Sequence, residues 1–257
     1  MGKKSPIRCF EGNAKPYQPF WNWRAKDSVE GDTTADPELE LYGVISEYSW
    51  SGDEITPKIF KDDLAKFGKG GPVTVRINSV GGEVIAASVI RSILTDYPGK
   101  VTVRIDGLCA SAAVMVALAG DVVCMQDSAY MMIHDPGYSM LWGWLDISYL
   151  SNLVDQLKAV KNGLLETYEK RTGLSRERLS KMLTDETWMS ANEAVKLGFA
   201  DEIIDGGKPA EKTADMQNLL RNFVNVPPAL LNSLRDDQAV EETREAQRLR
   251  DEAKLFM

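Results

Sequence analysis

The sequence predicts an α/β fold in which most strands pair in parallel. Short β-rich segments alternate with segments whose apolar residues recur at helical spacing, which is typical of a parallel sheet with helical crossovers. One helical segment, residues 111–119, is apolar on every face and therefore has to be buried. A length of 257 residues, 44% of them hydrophobic, suffices for a core of this kind.

The predicted elements follow one another with short breaks. Gly81-Gly82 is expected to end one strand, and Gly107 to turn the chain after the next. Ser190 and Glu193 form the sequence pattern of a capping box at a helix N-terminus. Strands are predicted at 39–46, 72–78, 100–106, 121–125, 129–133 and 199–204, and helices at 57–64, 83–94, 111–119, 144–171 and 175–182.

Three regions are predicted along the chain. Residues 1–37 form an extension, mostly irregular, that carries the aromatic sequence FWNW (20–23). Residues 38–205 form the folded domain, which includes one long amphipathic helix at 144–171. Residues 206–257 form a charged appendage, because the helical candidate within them has too little apolar surface to fold alone.

The composition argues against several classes of protein. The formal net charge of -8 and the absence of a basic run argue against a nucleic-acid-binding protein. No stretch approaches the roughly 18 apolar residues of a membrane span, so no membrane association is expected. The cysteines, Cys9, Cys109 and Cys124, are odd in number and their spacing fits no zinc motif. We expect a soluble intracellular protein without a metal or another cofactor.

Ser111 is the candidate nucleophile. It lies in the segment GLCASAAVMVALAGD, between small residues that leave its hydroxyl accessible, at the start of the buried helix. The free amides and positive potential of a helix N-terminus can stabilise an oxyanion there. A serine that only caps the helix would show the same local pattern, so this segment alone leaves both interpretations open.

His134, the only histidine in the chain, is the candidate general base. It follows a predicted strand and precedes Asp135-Pro136-Gly137, which places it at a strand end that faces a loop. Imidazole is the side chain whose pKa suits proton transfer near neutrality. No lysine lies in the apolar segments around Ser111, although composition alone does not exclude a lysine base.

Together these motifs resemble the ClpP family of serine peptidases. The resemblance rests, in order, on INSVGG (77–82), CASAAVMVALAG (109–120), MMIHDPGY (131–138) and MSANEAVKLGFADEI (189–203). It covers the chain from residue 39 to residue 205. The ETWMSANEA sequence, the N-terminal FWNW and the acidic tail are most similar to the ClpP-related head-maturation (prohead) proteases of tailed phages.

The resemblance implies a fold and a set of residue roles. The family fold, shared with crotonases, is a spiral of β-β-α units with a long protruding handle helix, matched here by 147–171. Ser111 matches the nucleophile and His134 the base, while the backbone amides of Gly81 and Ala112 match the oxyanion hole. The family also implies a polypeptide substrate and a homo-oligomeric ring, single or stacked, that encloses the sites.

The family's catalytic triad also contains an acid that orients the histidine, and this position is matched less well. An ungapped count back from Ser190 puts the family's aspartate position on Met182, which cannot serve as an acid. Asp185 is our predicted orienting acid, with Glu186 second, because a loop tolerates a small change in length. Two alternatives stay open: both carboxylates are solvated loop residues, or a Ser–His pair works with a backbone or water partner.

The predicted function is that of a serine endopeptidase that cleaves scaffold or other capsid-assembly proteins during phage head maturation. Its partners would then be scaffold, capsid and portal proteins, and its location the host cytoplasm and the prohead. One alternative is a Clp-type peptidase subunit fed by an ATP-dependent unfoldase. Two others are a crotonase-like acyl-CoA enzyme, which shares the fold and the oxyanion hole, and a non-catalytic assembly protein.

Overall fold

The structure is a computed structural model that describes residues 23–24, 37–46, 57–138, 144–205, 220, 223–228 and 230. The strands are β1 (Trp23–Arg24), β2 (Glu38–Ile45), β3 (Val73–Gly82), β4 (Val101–Ala110), β5 (Val122–Gln126), β6 (Tyr130–Ile133), β7 (Thr187–Ser190) and β8 (Glu202–Ile204). The helices are α1 (Pro57–Asp63), α2 (Val84–Thr95), α3 (Ala112–Ala117), α4 (Ile147–Thr172), α5 (Arg176–Thr184) and α6 (Ala191–Lys196), with a π-helical turn at Leu64–Gly68.

The described strands form one sheet in which β1, β2, β3, β4, β5 and β8 are successive neighbours. All of these pairs are parallel except β1 with β2. One edge of β4 pairs with β3, and its other edge is shared by two strands. The first half of that edge pairs with β5, and the second half pairs in parallel with β6. Strand β6 also pairs antiparallel with β7. The predicted α/β fold with mainly parallel pairing is therefore confirmed.

The core lies on both faces of this sheet. Helix α3 is buried at every position, as its all-apolar sequence predicts. Cys109 belongs to the larger buried cluster, whereas its neighbours Leu108 and Ala110 belong to a smaller one. Because successive strand residues point to opposite faces, the two clusters lie on opposite sides of β4. The smaller cluster, called the second cluster below, contains Val80, Leu108, Ala110, Met132, Leu220 and Leu230.

Two strands extend farther than the sequence predicts. Gly81-Gly82 is expected to end a strand, but β3 includes both residues because they pair with the end of β2. Strand β4 likewise continues through Gly107, since its second half pairs with β6. Strand β7 is absent from the sequence prediction and forms through its pairing with β6. In each case a partner strand supplies hydrogen bonds that local propensity does not reveal.

The helix ends agree with the capping residues in the sequence. Asp146 accepts the N–H of Tyr149 at the start of α4, and Gly173 ends that helix with a φ of 69°. At α6 the capping box of Ser190 and Glu193 is formed in both directions. Helix α4 begins three residues later than its predicted start at 144. None of the helices in the described part of the chain is both long and apolar enough to cross a membrane.

Both terminal regions have described residues that touch the central sheet. Strand β1 extends the sheet next to β2. Leu220 and Leu230 are buried in the second cluster, so part of the predicted C-terminal appendage packs on the domain. Phe20 and Trp21, and the charged helical candidate at 236–254, fall outside the described residues. The division at 1–37, 38–205 and 206–257 stays a prediction.

Candidate active site

Two adjacent parallel strands bring Ser111 and His134 together. Ser111 follows the last residue of β4, and His134 follows the last residue of β6. The strands pair in parallel with Ala110 opposite Met132, so both residues emerge at the same edge of the sheet. Ser111 Oγ lies 2.7 Å from His134 Nε2, which is a hydrogen-bond distance. The candidate nucleophile and the candidate base are thus in direct contact.

The backbone of Ser111 adopts a conformation that is rare outside glycine. Its φ is 55° and its ψ is −124°, and such conformations cost about 1–3 kcal/mol each. The N–H of Ser111 donates to the carbonyl of Met132 at 2.8 Å, which holds the turn against β6. The side chain makes no capping hydrogen bond to α3. Ser111 therefore does not act as an ordinary capping serine, and its hydroxyl is directed to His134 instead.

The surroundings of His134 favour a neutral imidazole. Burial lowers the pKa of His134, whereas the charges of Glu186 and Asp135 act in the opposite direction. Lys161 offsets one of these charges, because its Nζ lies 2.7 Å from a carboxylate oxygen of Asp135. The ring of Phe223 meets the imidazole edge to face, with centroids 5.4 Å apart. The neutral imidazole is the form that can accept the serine proton.

We expect peptide hydrolysis to persist below pH 6.5. His134 must be neutral to act as a base, and its lowered pKa keeps it neutral at a pH where an ordinary histidine is protonated. The acid limb of kcat/KM plotted against pH should therefore have its midpoint below 6.5. A midpoint at or above that value would contradict the effect of burial on the imidazole.

The two predicted oxyanion donors, the N–H groups of Gly81 and Ala112, differ in whether they already have a hydrogen-bond acceptor. A Cβ on Gly81 would lie 2.8 Å from Ser111 Cβ and 2.9 Å from the nitrogen of Ala112. Ala112 is the first residue of α3, where no preceding helical turn supplies an acceptor for its N–H. The N–H of Gly81, by contrast, donates to Ser79 Oγ at 3.1 Å. The amide of Gly81 is thus already hydrogen-bonded in this structure, and its role as an oxyanion donor stays a prediction.

Asp185, the predicted orienting acid, does not contact His134. Its carboxylate lies 2.6 Å from Lys181 Nζ, one turn earlier on α5, and 51% of its side chain is exposed. Asp185 still has helical dihedral angles at the end of α5, which explains why its side chain meets the residue four positions before it. The hydrogen bond that an orienting acid would accept from the imidazole N–H is therefore absent from the described contacts of Asp185.

Glu186, the second candidate, lies nearer to the histidine. Its φ of 49° turns the chain sharply after Asp185. Its carboxylate accepts the indole N–H of Trp188 at 3.1 Å and the backbone N–H groups of Val224 and Asn225 at 2.9 and 2.7 Å. Although burial raises the pKa of Glu186, these hydrogen bonds keep it below its usual value. Glu186 thus acts on His134 as a nearby negative charge.

Two residues of the site are not indicated by the sequence. Ser79 is buried, donates its hydroxyl proton to the carbonyl of Gly43 and accepts the N–H of Gly81. A polar residue within the INSVGG motif is the only local signal for it. Phe223 belongs to a region with no strand, helix or motif pattern, so its contact with His134 follows from tertiary packing alone.

Comparisons with known proteins agree with this architecture. The Clp protease family model matches residues 59–207. The ATP-dependent Clp protease proteolytic subunit 1 of Protochlamydia amoebophila is 29% identical over 169 residues, which are 64% of this chain and 80% of that protein. Subunit 2 of Thermobifida fusca is 32% identical over 138 residues, or 51% of this chain and 64% of that protein.

A solved structure shares the fold. ClpP1 from Listeria monocytogenes superposes with a TM-score of 0.53 at 24% identity, covering 66% of this chain and 92% of that chain. This likeness confirms the fold class that the sequence predicts. The family match spans more than half of the chain and contains all four motif segments on which the sequence resemblance rests. The chain belongs to the Clp protease family and is a serine peptidase.

Proposed function

We propose that this protein is a ClpP-type endopeptidase in which Ser111 attacks the peptide carbonyl and His134 takes its proton. The observation that carries this proposal is the 2.7 Å contact between Ser111 Oγ and His134 Nε2. As Oγ bonds to the carbonyl carbon, its proton passes to Nε2, and the imidazolium then protonates the leaving amine. Water activated by the same base hydrolyses the acyl-enzyme.

The N–H of Ala112 is the first donor to the developing oxyanion in this proposal. It follows the nucleophile directly and borders the space that Gly81 leaves open by lacking a Cβ. The N–H of Gly81 now donates to Ser79 Oγ at 3.1 Å. It becomes the second donor when the substrate oxygen replaces Ser79 Oγ as its acceptor. A preorganised donor of this kind contributes about 10²–10³ to kcat.

Glu186, rather than Asp185, is the carboxylate that we assign to stabilising the His134 imidazolium. Its charge raises the pKa of His134, whereas Asp185 is engaged by Lys181. Glu186→Ala should lower kcat/KM for a fluorogenic peptide by about tenfold, the equivalent of one pKa unit, because the imidazolium loses a neighbouring negative charge. Asp185→Ala, the matched control, should leave kcat/KM within about twofold. A larger loss in Asp185→Ala than in Glu186→Ala would contradict this assignment.

A homo-oligomeric ring around the substrate chamber is part of the same proposal. The N-terminal half of α4 exposes Ile147, Leu150 and Val154, which lie on one face of the helix. Only Leu164, Leu165 and Tyr168, farther along α4, are buried. An exposed apolar stripe of this kind is typical of a surface that associates with another subunit. This half of the helix would form the ring-to-ring contact, with polypeptides as substrates.

For the biological role, we propose cleavage of scaffold or other capsid-assembly proteins during phage head maturation, in the host cytoplasm and the prohead. The features that support it are FWNW (20–23), ETWMSANEA (186–194) and the charged tail, which resemble the prohead proteases. The second candidate is a Clp-type subunit fed by an ATP-dependent unfoldase. The names of the two curated relatives favour this candidate. The crotonase-like alternative loses support, because the chain belongs to a peptidase family.

Proteolysis without a partner separates the two roles. The full chain is incubated with casein, and with candidate phage scaffold and capsid proteins, in the absence of ATP. A head-maturation protease should cut these proteins at a limited set of sites. A Clp-type subunit should hydrolyse short peptides alone but cut proteins only after a hexameric unfoldase and ATP are added. A chain that hydrolyses neither peptides nor proteins would contradict the proposed mechanism.

A further inference from the structure

A segment of the C-terminal region packs beside both chemical groups of the site. Leu220 and Leu230 are buried in the second cluster together with Val80 and Met132. Val80 directly precedes Gly81, and Met132 lies two residues before His134 on β6. Phe223 and Val226 are half-buried against the same cluster. The described residues between 220 and 230 therefore pack on β3, which ends at Gly81-Gly82, and on β6, which leads to His134.

The carboxylate of Glu186 binds backbone N–H groups of this segment. Its carboxylate accepts the N–H of Val224 at 2.9 Å and that of Asn225 at 2.7 Å. The side-chain amide of Asn225 donates in return to the carbonyl of Asp185 at 3.0 Å. Hydrogen bonds to an ionised carboxylate are stronger than neutral ones. The position of Phe223, the preceding residue, is thus fixed by the turn at 185–186.

Phe223 places its ring against the imidazole. The planes of these two rings are 88° apart with centroids at 5.4 Å, and the indole of Trp188 meets the Phe223 ring at 5.9 Å and 78°. Edge-to-face contacts of this kind have a preferred geometry and resist rotation of the rings. Within the described ranges, no carboxylate is hydrogen-bonded to His134. The ring of Phe223 and the hydroxyl of Ser111 both contact the imidazole.

We propose that Phe223 is a positioning residue, which fixes the plane of the His134 ring and shields it from water where an orienting acid would otherwise act. This inference rests on the proposed function. The segment supports the site rather than blocking it, because Ser111 Oγ and His134 Nε2 remain 2.7 Å apart with Phe223 in place. The domain would then need part of its C-terminal region for full activity.

Removal of the Phe223 ring should have a defined electrostatic effect. Burial lowers the pKa of His134, and the charges of Glu186 and Asp135 raise it. Asp135 remains paired with Lys161, and the hydroxyl of Ser111 is neutral. Without the phenyl ring, water reaches the imidazole while both carboxylates stay in place, so the pKa of His134 must rise. A residue that only filled the second cluster would leave this pKa unchanged.

The test uses the full chain and its single histidine. Because His134 is the only imidazole, its pKa can be followed by NMR without ambiguity, and the rate at which Ser111 reacts with a serine-directed phosphonate reports activation. Phe223→Ala should raise the pKa of His134 and slow this reaction about tenfold or more near neutral pH. Phe223→Leu should lie between Phe223→Ala and the parent. Val224 is 85% exposed, and Val224→Ala, which keeps the backbone N–H, should match the parent.

Each outcome supports or overturns the role of Phe223. Phe223→Ala with the parental pKa of His134 and the parental labelling rate would overturn it. Faster labelling of Ser111 in Phe223→Ala would also overturn it, because the segment would then restrict access to the serine. If circular dichroism shows that Phe223→Ala does not fold, Phe223→Leu provides the test through the same two readouts. A parent that never reacts with the phosphonate overturns the proposed function and this inference together. A reactive parent with unaffected variants overturns this inference alone.

Discussion

Replacement of Ser111 by alanine should abolish peptide hydrolysis and leave the fold intact. The variant loses the oxygen that attacks the carbonyl, so kcat/KM should fall by at least about 10³-fold. The Cβ and the backbone hydrogen bond to Met132 are retained. The free energy of unfolding should therefore change by less than about 1 kcal/mol. The measurements are kcat/KM on a fluorogenic peptide and the thermal unfolding midpoint.

Ser128→Ala is the matched control for this experiment. Ser128 is exposed between β5 and β6, away from the strand ends that carry the site. Its loss should leave both hydrolysis and stability at parental values. Hydrolysis at a near-parental rate by Ser111→Ala would show that another group attacks the substrate, and the assignment of the nucleophile would then be wrong.

Replacement of Gly81 by alanine should also inactivate the enzyme, through crowding rather than through loss of a reactive atom. The added methyl would lie 2.6 Å from the carbonyl oxygen of Ala110 and 2.8 Å from Ser111 Cβ. The φ of 94° at residue 81 adds a backbone cost of about 1–3 kcal/mol for any other residue. Displacement of the Ala112 N–H from the oxyanion should lower kcat about 10²-fold or more.

Gly163→Ala is the control that separates crowding from a general effect of the substitution. Gly163 lies within α4, and a Cβ there would meet no atom within 4 Å. Alanine should stabilise that helix by about 0.5–1 kcal/mol and leave kcat/KM unchanged. If Gly81→Ala retained parental kcat, the backbone at residue 81 would have no part in the reaction geometry.

The fold and the Ser111–His134 contact could be predicted because their signals are local. The alternation of β-rich and helical segments gives the parallel sheet, and the all-apolar sequence of α3 gives its burial. Small residues around Ser111 allow a sharp turn, and His134 stands directly after a strand. Parallel pairing of two strands that end at these residues then brings the side chains together.

The sequence does not reveal the contacts of residues whose environment is set by distant parts of the chain. Asp185 and Glu186 are adjacent acids in the sequence, but the helical dihedrals of Asp185 direct it to Lys181, and the positive φ of Glu186 turns that residue toward the site. The N–H of Gly81, which matches an oxyanion donor of the family, donates to Ser79 Oγ, a contact that no local pattern indicates. Phe223 reaches the imidazole from 89 positions further along the chain, without any local pattern.

The strained turn at Ser111 links the fold to its chemistry. A φ of 55° at a serine persists only if surrounding structure compensates for its cost. The compensation comes from the buried helix α3 on one side and the hydrogen bond from Ser111 N–H to Met132 on the other. Because Met132 lies on the strand that leads to His134, the same contact fixes the nucleophile and aligns it with the base.

Mass spectrometry of the full chain after reaction with a serine-directed fluorophosphonate tests the central claim most directly. An activated serine should carry the adduct on the peptide that contains Ser111, and His134→Gln should remove it although every serine is retained. Adduct formation at Ser111 that does not depend on His134, or no adduct on that peptide at all, would contradict a hydroxyl made reactive by the adjacent imidazole.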